Sequence, residues 1–420
     1  MIAEIKLWGT LVGYLSDDAE NNIHFTYDPS FVSRGVEISP ITLKIRREPY
    51  SFPRLTSDTF RRLPGLFADS LPDKFGRRVI NEYLLSIGRD KNSLTPIEEL
   101  LYIGSRGMGA LEYHPHLDDT LSESSEIRIE DIANAAKDVL KRRSDAATKP
   151  EIGRLRELIK IGSSAGGAKA KAIIAYNEET GVYRSGQIDA GNGFTYWIIK
   201  FDKLDKEDLN SFFDSYQTRE EYAYYLMAKA AGIDMAESRL LQESGDYHFM
   251  TKRFDREGNR RLHVQTLCAL QHLPVGSPRE LCTYDALFDT AEAIGLKYEE
   301  REELFRRMAF NVYNREMDDH TKNFSFLMTE DGTWHLAPAY DLTGCHFSAA
   351  DAQFDDWQNQ HALSVNGKFS GIGDDDLLAV AEKYAIGTAP NVLSRIRDVF
   401  DQRKDILPSR HEPEKKVGAQ

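Results

Sequence analysis

Cysteine is scarce in this chain of 420 residues, which contains three: Cys268, Cys282 and Cys345. Their number is odd, and their spacing matches neither CxxC nor a zinc-ligand set. We therefore expect no disulfide framework and a reducing, cytoplasmic environment. Long apolar runs are also missing, since no stretch approaches the roughly 18 residues of a membrane span. The N-terminal residues include Glu4 and lack a long apolar core, so we expect no signal peptide.

Positive charge is in deficit, because 53 Lys and Arg residues face 67 Asp and Glu residues, for a formal net charge of −14. An acidic surface repels phosphate backbones, so extensive autonomous binding of DNA or RNA is not expected, although a local basic patch stays open. Apolar residues make up 41% of the chain and aromatic residues 10%, as is typical of a packed globular protein. The length suits two or three domains.

The order of local patterns predicts an α+β fold that is β-rich at its start and helical towards its end. Residues 1–50 contain the β-forming segments KLWGTLVGYL, NNIHFTYD and PITLKI, and residues 57–92 change to helical spacing. Strands are also predicted at the end of residues 161–177 and at 194–201. Helical apolar spacing predicts further helices at 129–147, 218–231, 284–296, 300–315 and 375–403.

A glycine-bearing run of small residues, GSSAGGAKAK, precedes the first of these two strands. Gly162 and Gly167 have Walker A spacing, but no Lys-[Ser/Thr] pair follows, and a glycine loop ahead of a strand is the arrangement of kinases. Successive small residues let backbone N–H groups converge on a phosphate, and the lysines add positive charge. A flexible linker is the alternative interpretation of this run.

Lys200 ends the apolar strand YWIIK, so its stem is expected to be buried and its ammonium directed at a partner. Kinases pair such a lysine with a glutamate on a helix and use it to contact nucleotide phosphates. Glu221, at the start of the following helix, is the candidate partner. Thr218 and Glu221 also satisfy a capping box, T-x-x-E, in which Glu221 would cap its own helix.

The most specific motif is DDHTKNFSF, in which Asp318 and Asn323 stand five positions apart. A kinase catalytic loop has this offset between the aspartate that orients the hydroxyl nucleophile and the asparagine that holds magnesium. Asp341 is a candidate second magnesium ligand, since magnesium prefers a few hard oxygen ligands from protein. Asp319 is the alternative base, but the offset favours Asp318. A simple turn would also contain these residue types.

His320 lies beside both aspartates of this motif. No second histidine or cysteine stands at ligand spacing nearby, so a structural hydrogen-bonding role is expected rather than zinc binding.

These motifs, in this order, resemble those of the HipA family of serine/threonine kinase toxins over nearly the whole chain. Residues 5–45 resemble its small N-terminal β-domain, and LPGLFADSLPDKFG (63–76) resembles its helical signature. The resemblance also rests on SSAGGAKAKA, YWIIKF, TKRFDR (251–256), DDHTKNFSF and LAPAYDL. It implies an α+β, bilobal protein-kinase-like fold with a mixed N-terminal lobe and a mainly α-helical C-terminal lobe. The expected units are 1–120, 121–217, 218–410 and a tail at 411–420.

The resemblance implies ATP and Mg²⁺ as cofactors, with Asp318 as the catalytic aspartate and Asn323 and Asp341 as the metal ligands. Lys252 and Phe254 would bind adenine through their backbone. The positions assigned to the nucleotide site are Ser164, Ala165, Gly166, Gly167, Ala168, Lys171, Lys200, Lys252, Phe254, His320, Lys322 and Tyr340.

The resemblance further implies autophosphorylation at Ser164, with Ser163 as the alternative. A phosphate there would compete with the nucleotide for the same backbone N–H groups and inactivate the enzyme. Residues 202–217 would form the activation segment. The family phosphorylates an aminoacyl-tRNA synthetase, typically the glutamyl enzyme, and pairs with a HipB-like helix-turn-helix antitoxin through which it meets DNA. The alternatives are a nucleotide-binding pseudokinase that acts as a corepressor and a small-molecule kinase of similar architecture.

Overall fold

The computed structural model of the protein describes residues 1–91, 93–117, 126–141, 152–162, 171–202, 217–276, 278–344 and 360–406. The helices are α1 (Pro29–Val32), α2 (Gly65–Ala68), α3 (Lys74–Ser86), α4 (Pro96–Ile103), α5 (Ile129–Lys141), α6 (Ile152–Gly162), α7 (Gln217–Ala230), α8 (Leu267–Gln271), α9 (Tyr284–Ala293), α10 (Tyr298–Asn314), α11 (Asp374–Lys383) and α12 (Ala389–Ile406). The strands are β1 (Ile2–Leu7), β2 (Thr10–Asp17), β3 (Ile23–Tyr27), β4 (Tyr50–Ser51), β5 (Leu111–His114), β6 (Glu126–Ile127), β7 (Lys171–Asn177), β8 (Val182–Ser185), β9 (Thr195–Lys200), β10 (Ser238–Glu243), β11 (Asp246–Lys252), β12 (Arg256–Glu257), β13 (Arg260–Arg261), β14 (His263–Thr266), β15 (Ser325–Met328) and β16 (Trp334–Leu336).

The first sheet is antiparallel and has the strand order β4-β3-β2-β1-β5. Successive side chains of a strand point to opposite faces, so Ala3, Ile5 and Leu7 of β1 are buried on one face. The β1–β2 hairpin turns through Trp8 and Gly9, which both have positive φ. A two-residue turn of this kind matches the twist of the flanking strands, and it pairs Leu7 with Thr10 before a β-bulge between Ile5 and Lys6 shifts the register.

The second sheet, in the order β10-β11-β9-β7-β8-β6, carries two lysines on its central strands. In the β7–β9 register, Lys171 lies opposite Lys200. Opposed residues of an antiparallel pair project to the same face, so the two ammonium groups emerge side by side. Trp197 and Ile199 project to the other face, where they share a core with α3, α5 and α6. The lysine face is thus the face left for a functional site.

The N-terminal sheet and the C-terminal helices share one continuous hydrophobic core, whereas the second sheet has its own core. Polar contacts cross the same junction. A ring nitrogen of His263 on β14 bonds the Ile38 carbonyl (3.0 Å), and Gly65 N–H donates to the ring of His272 (2.9 Å). The first sheet is therefore built into the C-terminal lobe.

Several predicted elements are confirmed. The two strands around the lysines are β7 and β9, and the predicted helices at 218–231, 284–296 and 300–315 correspond to α7, α9 and α10. The helix predicted at 129–147 is present as α5 up to Lys141, beyond which residues 142–147 lie outside the described part of the chain.

Two predicted elements are wrong, the strand at 40–45 entirely and the single helix at 375–403 in part. The segment PITLKI (40–45) forms no strand, because hydroxyl groups of Tyr27 and Tyr50 bond two of its backbone carbonyls (2.6 Å each) in place of a neighbouring strand. The helical spacing of residues 57–92 is confirmed, since it falls on α2 and α3, and the extended residue Asp73 between them caps α3. Residues 375–403 also hold two helices, and Ala385, with φ of 57°, separates them.

The region between α7 and α9 was expected to be mostly helical, but residues 238–266 form β10 to β14. The β10–β11 hairpin turns at Ser244 and Gly245, where positive φ values of 49° and 86° reverse the chain. Among the described residues, no helix combines the length and the apolar character needed to cross a bilayer.

Candidate active site

Lys200, at the end of β9, is the centre of the candidate site. Its ammonium donates a hydrogen bond to Glu221 Oε1 (2.5 Å) and another to Asp341 Oδ1. The Lys200 side chain is 12% exposed and that of Glu221 is 3% exposed. The buried Lys200 ammonium thus joins three elements: strand β9, helix α7 and the loop after β16.

Glu221 reaches Lys200 from the first turns of α7, which begins at Gln217. Thr218, the other member of the possible capping box, lies inside the helix, and its hydroxyl donates to the Tyr247 carbonyl (2.6 Å). Of the two arrangements that the sequence left open, the ion pair is the one present.

The charges of this cluster depend on one another. Burial would neutralise Lys200, but Asp341 and Glu221 raise the pKa of its ammonium above the usual value. Burial likewise opposes ionisation of Asp341, yet Lys200 and Lys171 hold its pKa well below the usual range. Burial and the charge of Lys200 lower the pKa of Lys171. Lys200 and Asp341 are therefore both charged at neutral pH.

Asp318 and Asp319 have opposite surroundings. The Asp319 side chain is fully buried, and it accepts hydrogen bonds from Tyr284 OH (2.7 Å) and Ala362 N–H (2.7 Å), with His361 Nδ1 at 2.9 Å. The Asp318 side chain is 59% exposed. Asp319 anchors the loop, whereas Asp318 presents a carboxylate that a ligand can approach.

Asn323 and Asp341 belong to two loops that are bonded to each other. Asn323 Nδ2 donates to the Asp318 carbonyl (2.8 Å), which leaves Oδ1 as the amide oxygen that could meet a metal. Tyr340 OH donates to the Lys322 carbonyl (2.6 Å), and these residues immediately precede Asp341 and Asn323. Asp341 has a φ of 56°, a conformation that is uncommon outside glycine and is often found at functional sites.

His320 contacts its own loop. Its Nδ1 accepts the Lys322 N–H (3.2 Å), and its Nε2 lies 3.8 Å from Asp318 Oδ1. These contacts suit the structural role expected from the sequence, and they keep the ring beside the exposed carboxylate.

The expected adenine-binding segment follows β11. The N–H of Lys252 donates to the Glu237 carbonyl (2.8 Å), so a base could meet the Lys252 backbone through its carbonyl oxygen but not through its N–H. The Phe254 ring centroid lies 5.5 Å from that of Tyr340. The segment is therefore in contact with the loop that carries Asp341.

A buried ion-pair network holds this segment in shape. Arg253 and Asp255, both with fully buried side chains, form a two-pronged pair at 2.9 and 2.7 Å. Asp255 also accepts from Arg256 (2.7 Å) and from the Gly109 N–H (2.7 Å). Fully hydrogen-bonded networks of this kind rigidify the backbone, and here they fix the position of Phe254.

The glycine loop falls outside the described residues, which stop at Gly162 and resume at Lys171. A Cβ built on Gly162 would lie 3.3 Å from the Lys171 carbonyl, so the two ends of the loop are close together. The sequence-predicted residues Ser163, Ser164, Ala165, Gly166, Gly167 and Ala168 lie in this gap, and most of the predicted activation segment lies in the gap at 203–216.

Asp69 and Asp73, which belong to the segment LPGLFADSLPDKFG (63–76), lie near the candidate site. Nothing in the sequence predicted that they would be close to it. Asp69 accepts hydrogen bonds from Thr266 N–H (2.8 Å) and hydroxyl (3.0 Å), and Asp73 accepts from Gly76 N–H (2.6 Å). Burial raises the pKa of both, and the charges of Lys322 and Lys171 respectively oppose that rise. The sequence could have shown Asp73 as a helix cap but not its nearness to Lys171.

The donor set suits magnesium better than zinc. Among the described residues, no three His, Cys, Asp or Glu side chains converge as a zinc site would require. The Asp341 carboxylate and the Asn323 amide are hard oxygen donors, and magnesium commonly takes one or two such groups and completes its shell with phosphate oxygens and water.

The fold and this site define the class, a kinase-like protein in which a strand lysine, a helix glutamate and an aspartate of a separate loop meet. The chain belongs to the HipA family. The model of the HipA-like C-terminal domain matches residues 163–406, and the model of the HipA N-terminal domain matches residues 3–114.

Named relatives agree with this assignment. The serine/threonine-protein kinase toxin HipA of Shewanella oneidensis is 22% identical over 391 residues, which cover 87% of this chain and 79% of that protein. The Y4dM protein of Sinorhizobium fredii, which carries a provisional kinase name, is 24% identical over 210 residues, 45% of this chain and about half (49%) of that protein.

A solved structure has the same fold. The Shewanella oneidensis HipA, in a complex with HipB and operator DNA, matches with a TM-score of 0.66 at 19% identity, covering 99% of this chain and 92% of that one. The α+β, bilobal kinase-like architecture expected from the sequence is thereby confirmed.

Proposed function

We propose that the protein is a kinase that uses ATP and Mg²⁺ to phosphorylate serine or threonine of another protein. The observation that carries the proposal is the double contact of Lys200 with Glu221 and Asp341. In protein kinases a lysine–glutamate pair and a metal-binding aspartate must both be in place for transfer, and here they share one ammonium group.

Asp318 is the proposed catalytic aspartate. It accepts the proton of the attacking hydroxyl as the new oxygen–phosphorus bond forms and the bond between the β- and γ-phosphates breaks, and ADP leaves. Lys200 and Lys171 balance phosphate charge from one face of the second sheet. Bound Mg²⁺ would supply further charge neutralisation, with Asn323 and Asp341 as its protein ligands.

The remaining residues of the expected nucleotide site position the substrate. The carbonyl of Lys252 and the backbone of Phe254 bind adenine, and His320, Lys322 and Tyr340 line the phosphate end. Because phosphoryl transfer depends mainly on positioning and electrostatics, the bonds among these loops matter as much as the reacting groups.

We extend the proposal to self-regulation. Ser164, or Ser163 beside it, accepts a phosphate in the glycine loop, and the dianionic group then competes with ATP for backbone N–H groups and shuts the enzyme off. The chemistry of the small-residue loop and its position directly before Lys171 support this step.

The proposed substrate is an aminoacyl-tRNA synthetase, with the glutamyl enzyme favoured, so that translation is inhibited in the cytoplasm. The proposed partner is a HipB-like helix-turn-helix antitoxin. Family membership supports both, as does the similar fold of a HipA bound to HipB and operator DNA. With a net charge of −14, this chain is suited to meet DNA through such a partner rather than alone.

The test is the variant Asp318→Asn, incubated with radiolabelled ATP and purified glutamyl-tRNA synthetase. We expect label transfer to fall at least about a thousandfold while ATP binding stays within a few-fold, because the change removes the proton acceptor and keeps the shape. Asp131→Asn, on the exposed face of α5, is the matched control and should transfer label normally.

Full activity of the Asp318→Asn variant would exclude the proposed role of this residue. If the unaltered protein labels neither itself nor the synthetase, mass spectrometry of a host lysate treated with ATP decides between another protein target and no kinase activity.

A further inference from the structure

Glu316 is a buried carboxylate that the proposed chemistry does not use. It is 1% exposed, and it lies two residues before Asp318. Three backbone N–H groups converge on it. Glu316 Oε1 accepts from Asp318 (3.0 Å), and Oε2 accepts from Thr343 (2.6 Å) and Gly344 (2.8 Å).

These three donors come from the two loops that carry the reacting groups. Asp318 N–H belongs to the loop between α10 and β15, residues 315–324, which we call the catalytic loop. Thr343 and Gly344 follow the candidate metal ligand Asp341 by two and three positions, in the loop of residues 337–344, which we call the metal loop. A single side chain therefore bonds the catalytic loop to the metal loop. A second tie, from Tyr340 OH to the Lys322 carbonyl, joins the same loops on the other side of Asp341.

The C-terminus of α10 determines where Glu316 lies. Arg315 adopts a left-handed conformation with φ of 56° that ends the helix, and the Glu316 N–H then donates back to the Asn311 carbonyl (2.9 Å). Tyr224 of α7 bonds the Asn314 carbonyl (2.8 Å). The carboxylate is thus supported by two helices, one of which carries Glu221, the partner of Lys200.

The ionised form of such a group is costly to bury. Burial raises the pKa of Glu316 to about 7, although the three N–H groups oppose that rise, and the neighbouring Asp319 adds to it. Acids with shifted pKa values concentrate at functional sites, and this one lies between the two loops of the candidate site.

We propose that Glu316 is a positioning residue that sets the separation between the Asp318 loop and the metal loop during phosphoryl transfer. The inference rests on the proposed kinase function. Glu316 touches neither substrate nor nucleotide, and it acts through the backbone of Asp318.

The variant Glu316→Gln separates this role from simple stabilisation. Its one amide oxygen can still accept from Thr343 and Gly344, but its NH₂ group then faces the Asp318 N–H, so the catalytic loop alone is released. We expect kcat for label transfer from radiolabelled ATP to glutamyl-tRNA synthetase to fall about 10- to 100-fold. The KM for ATP should change by less than about threefold, since the metal loop stays in place.

Glu99→Gln is the matched control, because Glu99 is also buried (4% exposed) but pairs with Arg61 in the N-terminal part. It should keep kcat unchanged. Glu316→Asp, whose shorter side chain cannot reach both loops, is the second variant and should also lower kcat.

Each result decides the question. A wild-type kcat in a folded Glu316→Gln variant, or equal changes in kcat and KM, would overturn the positioning role while leaving the kinase proposal intact. If neither variant folds, by circular dichroism and thermal melting, Glu316 is a stabilising residue only, and the inference is wrong. An unaltered protein that labels neither itself, nor the synthetase, nor any protein of a host lysate would instead overturn the kinase proposal, and this inference with it.

Discussion

Asp318 and Asp319 are neighbours in the chain, but their carboxylates differ in exposure and in the role that we expect of each. The Asp318 side chain is more than half exposed, and that of Asp319 is sealed among Tyr284, His361 and the backbone of residue 362. The five-residue offset to Asn323 already favoured Asp318 from the sequence. The reason for two acids became visible only in the structure, because the partners of Asp319 lie more than 30 positions away in the chain.

Asp319→Asn should therefore destabilise the fold. Replacing the carboxylate by an amide removes a charged acceptor that Tyr284 OH and the Ala362 N–H share. The free energy of unfolding should therefore fall by about 3 kcal/mol. We expect its melting temperature to fall by several degrees, measured by differential scanning calorimetry, whereas that of Asp318→Asn should stay within about two degrees. Equal melting temperatures for both variants would contradict this division of roles.

Local patterns were sufficient for elements whose period is long and regular. Helical spacing predicted α7, α9 and α10, and the apolar run ending in Lys200 predicted β9. Short elements were harder to predict, because β10 to β14 span only two to seven residues each and alternate weakly. The sequence could not decide whether Glu221 pairs with Lys200. A glutamate three residues after a threonine can instead bond the backbone N–H at the start of its own helix, as in a capping box.

The turn after Asp341 has a strict requirement at Gly344. Its φ is 55°, and a Cβ there would collide with the Tyr224 hydroxyl on α7. We expect Gly344→Ala to lower the melting temperature and to reduce phosphoryl transfer at least about tenfold, because the turn must move away from both Tyr224 and Glu316. Calorimetry and the radiolabel assay measure these two effects.

Gly371→Ala is the control for that change. Gly371 also has positive φ (63°) but open space around its Cβ position, so it should cost only about 1 kcal/mol and no activity. If the two alanine variants behave alike, contact with Tyr224 is not what the turn requires.

At the scale of the whole molecule, the N-terminal sheet shares its core with the C-terminal helices. The family resemblance set residues 1–120 apart as a unit, whereas local patterns showed only a change from β-forming segments in residues 1–50 to helical spacing in 57–92. A core shared by the first sheet and helices α7 to α12 cannot be predicted from such patterns, because the contacting side chains lie hundreds of positions apart.

Two histidines at this junction should make the fold sensitive to acid. Burial lowers the pKa of His263 and His272 to about 4, from about 6.5 in an unfolded chain. As the pH falls, the unfolded state takes up protons first. The stability that these two histidines contribute is therefore complete above about pH 6.5 and is lost progressively towards pH 4, by up to about 3 kcal/mol for His263.

Urea unfolding between pH 7.5 and 4.5, followed by fluorescence, measures this loss. His263→Asn should be less stable at pH 7.5 but should lose less stability on acidification than the unaltered protein. If His263→Asn and the unaltered protein lose equal stability over this pH range, His263 carries no such linkage, because carboxyl groups with raised pKa values, such as Glu316, affect both proteins alike.

The shared core also affects how the protein is made. A ribosome releases the first sheet long before it has synthesised α10 to α12, so the nascent β-domain waits with part of its apolar surface uncovered. The contact of Lys200 with Asp341 likewise requires a chain that has been synthesised beyond residue 341. A prematurely terminated product would therefore be an aggregation-prone fragment without a competent active centre.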